Sequence, residues 1–183
     1  MGSFIKSFLI CLVVISISGC GSKINYEVKP TPLQKNKSTY VLGKFNLFLE
    51  ESSNKDITNL TYLTQDKLAE SFIEKFTNQL KEQGIYGDEY VINIDMYYER
   101  VFNIGGNKLN RPQFRYDVKI LNKNNELLAS YGIGLSTTKY AYFKDAAVNI
   151  EISTFNRDAE DEPEDIELIC KILVENIKKE IGK

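Results

Sequence analysis

Residues 90–100 read YVINIDMYYER, and apolar side chains occupy every second position of this stretch. An extended strand directs successive side chains to opposite faces, so the alternation predicts a strand with one apolar face. The apolar row consists of Tyr90, Ile92, Ile94, Met96 and Tyr98. The opposite row is mostly polar, which predicts a sheet with its core on one face.

Two stretches that follow show the same alternation, at residues 114–120 and 127–135. Asn124 and Asn125 lie between them, and both tolerate the positive φ of a type I′ hairpin turn. The inward row of the second stretch is predicted to be Leu127, Ala129, Tyr131, Ile133 and Leu135. Gly132 and Gly134 leave its other face nearly bare, which predicts a bulge or the close approach of another backbone.

Residues 39–49 predict a further strand ahead of these. Simple alternation divides it into two rows. One row holds Val41, Phe45, Leu47 and Leu49, and the other holds Tyr40, Leu42, Lys44 and Asn46.

Two segments carry the periodicity of amphipathic helices. In residues 64–84, TQDKLAESFIEKFTNQLKEQG, Thr64 is a suitable N-cap and Gly84 a suitable stop. The second helix begins at Pro163, a residue favoured in the first turn. Its apolar stripe is Ile166, Ile169, Cys170, Leu173, Ile177 and Ile181.

Residues 138–157 are compatible with a short helix through Ala146 and Ala147 or with a strand at residues 148–152, and the strand is favoured slightly. The predicted order is then β-α-β-β-β-(β)-α. This order indicates an α+β fold, with an antiparallel or mixed sheet of four to five strands and two helices packed on one face.

Composition excludes several classes of function. The chain of 183 residues has a formal net charge of −2 and no histidine. Without a basic cluster, no nucleic-acid partner is expected. Without histidine, Ser-His-Asp and Cys-His catalysis and the usual zinc and haem ligand sets are unavailable. We expect no enzyme activity, no cofactor and no metal site.

The acidic residues in 158–167 and Cys170 also have simpler interpretations than a metal site and a catalytic thiol. The acidic run lacks the ligand order of a calcium-binding loop and is predicted to be a solvated helix start. Cys170 lies on an apolar stripe, where a cysteine behaves as a small hydrophobic residue.

The amino terminus, MGSFIKSFLICLVVISISGC, combines one lysine, an apolar run too short to span a bilayer, and small residues before Cys20. The quartet Ile17-Ser18-Gly19-Cys20 closely resembles the lipobox of bacterial lipoproteins. The resemblance implies cleavage between Gly19 and Cys20 and acylation of Cys20. Acyl chains would anchor the protein to a membrane. Gly21 and Ser22 follow instead of the aspartate that retains enteric lipoproteins at the inner membrane, which implies the periplasmic face of the outer membrane.

Three regions follow from this resemblance. Residues 1–19 are predicted to be a signal peptide, residues 20–38 a lipidated cysteine with a flexible tether, and residues 39–183 a single periplasmic domain. The tether contains two prolines and no periodicity, and could span roughly 55 Å when extended. We therefore expect the domain to be able to stand clear of the membrane.

Behind a lipobox, this order of elements also resembles a loose group of small envelope lipoproteins that support assembly, transport or secretion machines. The resemblance implies a binding role, and exposed Tyr and Arg are enriched at binding surfaces. Tyr97, Tyr98, Arg100 and Arg111 are predicted to meet near one end of the central hairpin and to contact a protein partner. The alternatives are an immunity lipoprotein that neutralises a toxin, and a carrier of a lipid or cell-wall ligand.

Overall fold

The computed structural model describes residues 24–28, 38–52, 62–103 and 108–180. The predicted signal peptide, Gly19, Cys20 and the end of the terminal helix at Ile181 lie outside these residues. The five described strands are β1 (Ile24–Val28), β2 (Tyr40–Ser52), β3 (Tyr90–Val101), β4 (Gln113–Leu121) and β5 (Leu127–Thr137). The described helices are α1 (Gln65–Glu82), α2 (Tyr142–Ser153) and α3 (Glu162–Glu180).

The strands form one mixed sheet in the order β1-β5-β4-β3-β2. β2 and β3 are parallel, because α1 carries the chain back between them. The other neighbours are antiparallel. The predicted α+β class and sheet size are confirmed, with three described helices in place of two.

One face of the sheet packs against α1 and α3. The even-numbered row of β3 is buried there as predicted, with Ile92 and Met96 fully inaccessible. The apolar stripe of α3 packs on this row. α1 lies beside α3 on the same face of the sheet and buries Leu68, Phe72, Phe76 and Leu80. Cys170 is a free, fully buried thiol of this core, and burial raises its pKa. No described helix is long and apolar enough to cross a bilayer.

The predicted division of β2 into two rows is wrong before Phe45, because the strand contains a bulge. The pairing with β3 shifts register between Leu42 and Phe45. The extra residue reverses the parity, so Tyr40 and Leu42 pack on the core side together with Phe45, Leu47 and Leu49. Gly43 lies at the bulge, and a side chain there would meet Val91 and Asn93.

The hairpin between β4 and β5 differs from the predicted type I′ turn. Only Asn125 has a positive φ, of 61°. The Asn125 N–H donates to the Asn122 carbonyl, and the Asn122 side chain accepts from the N–H groups of Asn124 and Glu126. Asn122 therefore organises a longer turn. The predicted inward row of β5 is buried in its centre, but Leu127 and Leu135 at its ends are exposed.

Residues 24–28 are not part of a flexible tether. They form β1, which pairs with β5 from Ile24 opposite Ile133 to Val28 opposite Ser130. Ile24 packs against the core, and the Tyr26 and Tyr131 rings are 6.0 Å apart. Only residues 21–23 separate Cys20 from this strand. While β1 is paired, this short segment spans at most about 14 Å, far less than the predicted 55 Å.

The slight preference for a strand in residues 138–157 is wrong, because residues 142–153 form α2. This helix ends in two nested hydrogen bonds, from the N–H of Phe155 to Ile152 and from the N–H of Asn156 to Glu151. The pattern is a Schellman motif, and it places Phe155 in the left-handed region at φ 56°. α1 ends in the same motif, with Gly84 at the equivalent position.

Candidate functional site

Two of the four predicted contact residues, Tyr98 and Arg100, are buried and cannot form an exposed surface in the folded domain. Both lie on the core row of β3, with 2% and 1% of their surface accessible. Alternation had already placed Tyr98 on the core row, and Arg100 has the same parity. Arg100 donates from Nε to Glu162 at 2.7 Å, and from Nη2 to the Leu63 carbonyl at 3.0 Å. It also pairs with Glu51.

The pairing changes the titration of this cluster. Burial alone would lower the pKa of Arg100, but its hydrogen bond and charge attraction to Glu162 raise the pKa. Burial raises the pKa of Tyr98, and the charge of Glu162 raises it further. The cluster therefore keeps a protonated guanidinium and a neutral phenol inside the domain.

The beginning of α3 is not the solvated cap that the acidic sequence predicts. Glu162 and Asp165 in its first turn are each 1% exposed. Asp165 accepts from Arg157 Nη2 at 2.7 Å and from the Tyr140 hydroxyl at 2.8 Å. Two buried arginines thus fix the start of α3, and this acidic group has a structural role.

Arg111 lies at the end of the sheet and is partly buried. Its guanidinium pairs with Asp145 at 3.0 Å and donates to the exposed Asn149, so it contacts α2 along the row of these two residues. It also donates to the Thr138 carbonyl at 2.8 Å. These bonds make Arg111 a residue that holds α2 in place. The four predicted residues are therefore not brought together.

Tyr97 is the predicted contact residue that does lie on the opposite side of the sheet, which no described helix covers. Its ring stacks on Phe48 of β2 with centroids 4.7 Å apart and an angle of 15° between planes. The Arg115 guanidinium of β4 lies 4.2 Å from the centroid of Tyr97. A stack of Phe48, Tyr97 and Arg115 therefore crosses three strands, and Phe48 is 45% exposed.

Carboxylates lie beside this stack. Asp95 and Asp117 are directly opposite each other on β3 and β4, and Asn46 donates to Asp95 at 2.6 Å. The Asp117 carboxylate occupies the space above Gly132, which explains the missing side chain there. Burial and the charge of Glu27 raise the pKa of Asp117. We call this surface, formed by Phe48, Tyr97, Arg115, Asp95 and Asp117, the open sheet face.

A second unusual surface lies on α2. Tyr142, Phe143 and Ile150 are 82%, 86% and 63% exposed. The spacing of these residues places them on one side of the helix together with the exposed Ala146 and Ala147. We call this side, Tyr142, Phe143, Ala146, Ala147 and Ile150, the α2 face. In the described part of the chain, no helix covers it.

Sequence reasoning missed most of both surfaces, although their signals were present. The outward rows of β3 and β4 already contain Tyr97, Arg115 and Asp117. Alternation also places Phe48 on the outward row with Lys44 and Asn46, although it was not predicted as a contact residue. The helical spacing of the α2 face was also visible, but an apolar helical stripe is ordinarily assigned to the core.

Comparisons with known proteins give a likeness of fold. No family model matches the chain, and no curated protein does. Among solved structures, protein XCC0632 from Xanthomonas campestris, of family DUF330, aligns over 85% of this chain and 92% of its own. The TM-score is 0.52 and the identity 12%, so the similarity concerns the fold alone.

Two further structures overlap less closely. A neuraminyllactose-binding hemagglutinin homologue from Helicobacter pylori covers 87% of this chain and 90% of its own, with 15% identity and a TM-score of 0.38. A PelC dodecamer from Paraburkholderia phytofirmans covers 74% and 95%, with 10% identity and a TM-score of 0.36.

Proposed function

We propose that this protein is a lipid-anchored, non-enzymatic protein of the bacterial envelope that binds a protein partner through the open sheet face. In this proposal Cys20 is acylated, and the domain lies at the periplasmic face of the outer membrane as an accessory subunit of an envelope assembly. The amino-terminal sequence supports the anchor. The stack of Phe48, Tyr97 and Arg115, on a sheet face that no described helix covers, is the observation that carries the binding role.

The chemistry of the open sheet face favours a protein ligand. Aromatic and arginine side chains supply much of the binding energy at protein interfaces, and here they are already held in one geometry by stacking. Preorganised side chains lose little conformational freedom on binding. The flanking Asp95 and Asp117 carboxylates favour a partner that presents basic side chains around an apolar centre.

The anchor is tested by replacing its lipidated residue. We expect Cys20→Ala to release the protein from membranes, with the wild-type amino-terminal peptide carrying the mass of acyl chains. Persistence of the Cys20→Ala variant in the membrane after a carbonate wash would contradict lipid anchoring.

The binding surface is tested by photocrosslinking in intact cells. A photoreactive phenylalanine at position 48 should yield one discrete adduct, and Arg115→Glu should abolish it by removing the stacked cation. The matched control carries the photoreactive residue at Glu175, an exposed position on the outer side of α3. Equal adducts from both positions, or none from position 48, would contradict the proposal.

The identity of the crosslinked protein separates the two possible binding roles. A component of an envelope machine would support the accessory-subunit role, whereas a toxin delivered to the periplasm would support the immunity role. Asp95→Lys with Asp117→Lys should weaken the adduct in either case, because like charges would then meet.

A further inference from the structure

We propose that the α2 face lies in the headgroup region of the membrane to which the protein is anchored. This inference rests on the proposed acylation of Cys20. It concerns a different surface from the open sheet face and a different ligand, a phospholipid bilayer.

First, polar contacts attach α2 to the rest of the domain, yet its apolar side is exposed. Val148 is buried, and Arg111 pairs with Asp145 and donates to the exposed Asn149. Phe143, in contrast, is 86% exposed. Contiguous exposed apolar residues on a soluble domain mark a surface that another body covers.

The second observation is the aromatic residue at the end of this helix. Phe155 occupies the left-handed position of the Schellman motif, where glycine is the usual residue, and it is 52% exposed. Phe155 is thus a further exposed aromatic residue just after α2, in a conformation that is unfavourable for a phenylalanine.

The third observation locates the membrane. The three residues between Cys20 and Ile24 span at most about 14 Å, so the beginning of β1 must remain close to the bilayer. Because β1 and β5 are antiparallel, the beginning of β1 lies towards the end of β5. β5 ends at Thr137 and leads directly into α2. The beginning of β1, which follows the acylated cysteine in the sequence, and α2 therefore lie at the same end of the sheet.

The short segment between Cys20 and β1 also favours lipid over protein as the ligand of the α2 face. An acyl anchor within this distance keeps the bilayer at a high effective concentration for any apolar surface nearby. Leu135, at the same end of β5, is 67% exposed. Aromatic side chains are well suited to the headgroup region. Phenylalanine can insert its apolar ring among the acyl chains, and the tyrosine hydroxyl can stay in contact with water. The exposed Lys139 between β5 and α2 suits anionic headgroups.

The absence of tryptophan from the sequence makes a direct test possible. Phe143→Trp introduces a single fluorophore on the α2 face, and Phe48→Trp introduces one on the open sheet face as the matched control. Each mature, acylated variant is reconstituted into vesicles of phosphatidylethanolamine and phosphatidylglycerol, with or without brominated phospholipids. Flotation of the vesicles reports the anchor independently of the fluorescence.

We expect both variants to float. Emission from position 143 should shift to the blue and be quenched strongly by the brominated lipids, whereas emission from position 48 should be changed little. Ile150→Trp repeats the test at a second position of the α2 face if the first variant folds poorly. Flotation without quenching at positions 143 and 150, or equal quenching at position 48, would overturn membrane docking while leaving the anchor intact. Failure to float would overturn the anchor proposal, and this inference with it.

Discussion

The helices α2 and α3 have opposite relations to the core. α3 buries its apolar stripe completely, from Ile166 to Ile177, and its polar side faces outward. α2 has one buried residue, Val148, and presents Phe143 and Ile150 outward. α3 therefore completes the core, whereas the described residues leave most of the apolar side of α2 uncovered.

The largest expected effect concerns the start of α3. Asp165→Ala should lower the free energy of unfolding by about 3–5 kcal/mol, because Arg157 is 1% exposed and would lose its carboxylate partner. Chemical denaturation measures the change. Glu175→Ala on the exposed side of the same helix is the control and should change stability by less than about 0.5 kcal/mol. Similar losses in both variants would contradict a buried ion pair.

Paired truncations of the two apolar stripes test the comparison most directly. Leu173→Ala in α3 should destabilise the domain by about 2–5 kcal/mol, because it removes fully buried methyl groups and leaves a cavity. Ile150→Ala in α2 should change stability by less than about 0.5 kcal/mol, since the side chain is largely exposed. Thermal unfolding of the two variants without a membrane would show the contrast. A large loss in Ile150→Ala would mean that the α2 face is covered within the domain itself.

The contact between α3 and the sheet should also be sensitive to alkaline pH. Burial raises the pKa of Tyr116 to about 12, and its hydroxyl accepts a hydrogen bond from Asn176 of α3 at 2.6 Å. Above pH 10 the unfolded chain releases this proton while the folded chain retains it, so stability falls as the pH rises towards 12. The loss amounts to about 2 kcal/mol.

Denaturation at a series of pH values measures this effect. Tyr116→Phe should reduce the slope between pH 10 and pH 12 without abolishing it, because burial also raises the pKa of Tyr40 and Tyr62 to about 12. Phe143→Leu on α2 removes no titrating group and should keep the wild-type slope. An unchanged slope in Tyr116→Phe would assign the alkaline loss to other tyrosines.

The smallest expected effect lies at the end of α2. Phe155→Gly should stabilise the isolated domain by about 0.5–1 kcal/mol, because glycine adopts the left-handed conformation without steric cost, although it adds entropy to the unfolded chain. Gly84→Ala at the equivalent position of α1 should destabilise by a similar amount. Differential scanning calorimetry resolves both. A loss of stability in Phe155→Gly would show that the phenylalanine contributes to packing.

These differences also explain which parts of the structure could be predicted. α1, α3 and the central strands follow from periodicity, because their apolar residues face the core. Gly84 ends α1 as predicted, whereas the Thr64 side chain makes no capping hydrogen bond. The rule that apolar residues point inward fails for α2, so its helical spacing was not decisive. The rule that charges point outward fails for Arg100 and Glu162, which satisfy each other in the interior. β1 was missed because its partner strand lies far away in the sequence.

The pairing of β1 has a consequence for the order of folding. Glu27 in β1 accepts a hydrogen bond from Ser130 in β5, 103 residues further along the chain. Closing so large a loop is entropically costly, so this contact should form late. The first described segment of the chain is then the last to join the sheet. Until it does, the backbone groups along the free edge of β5 remain able to pair with another extended chain.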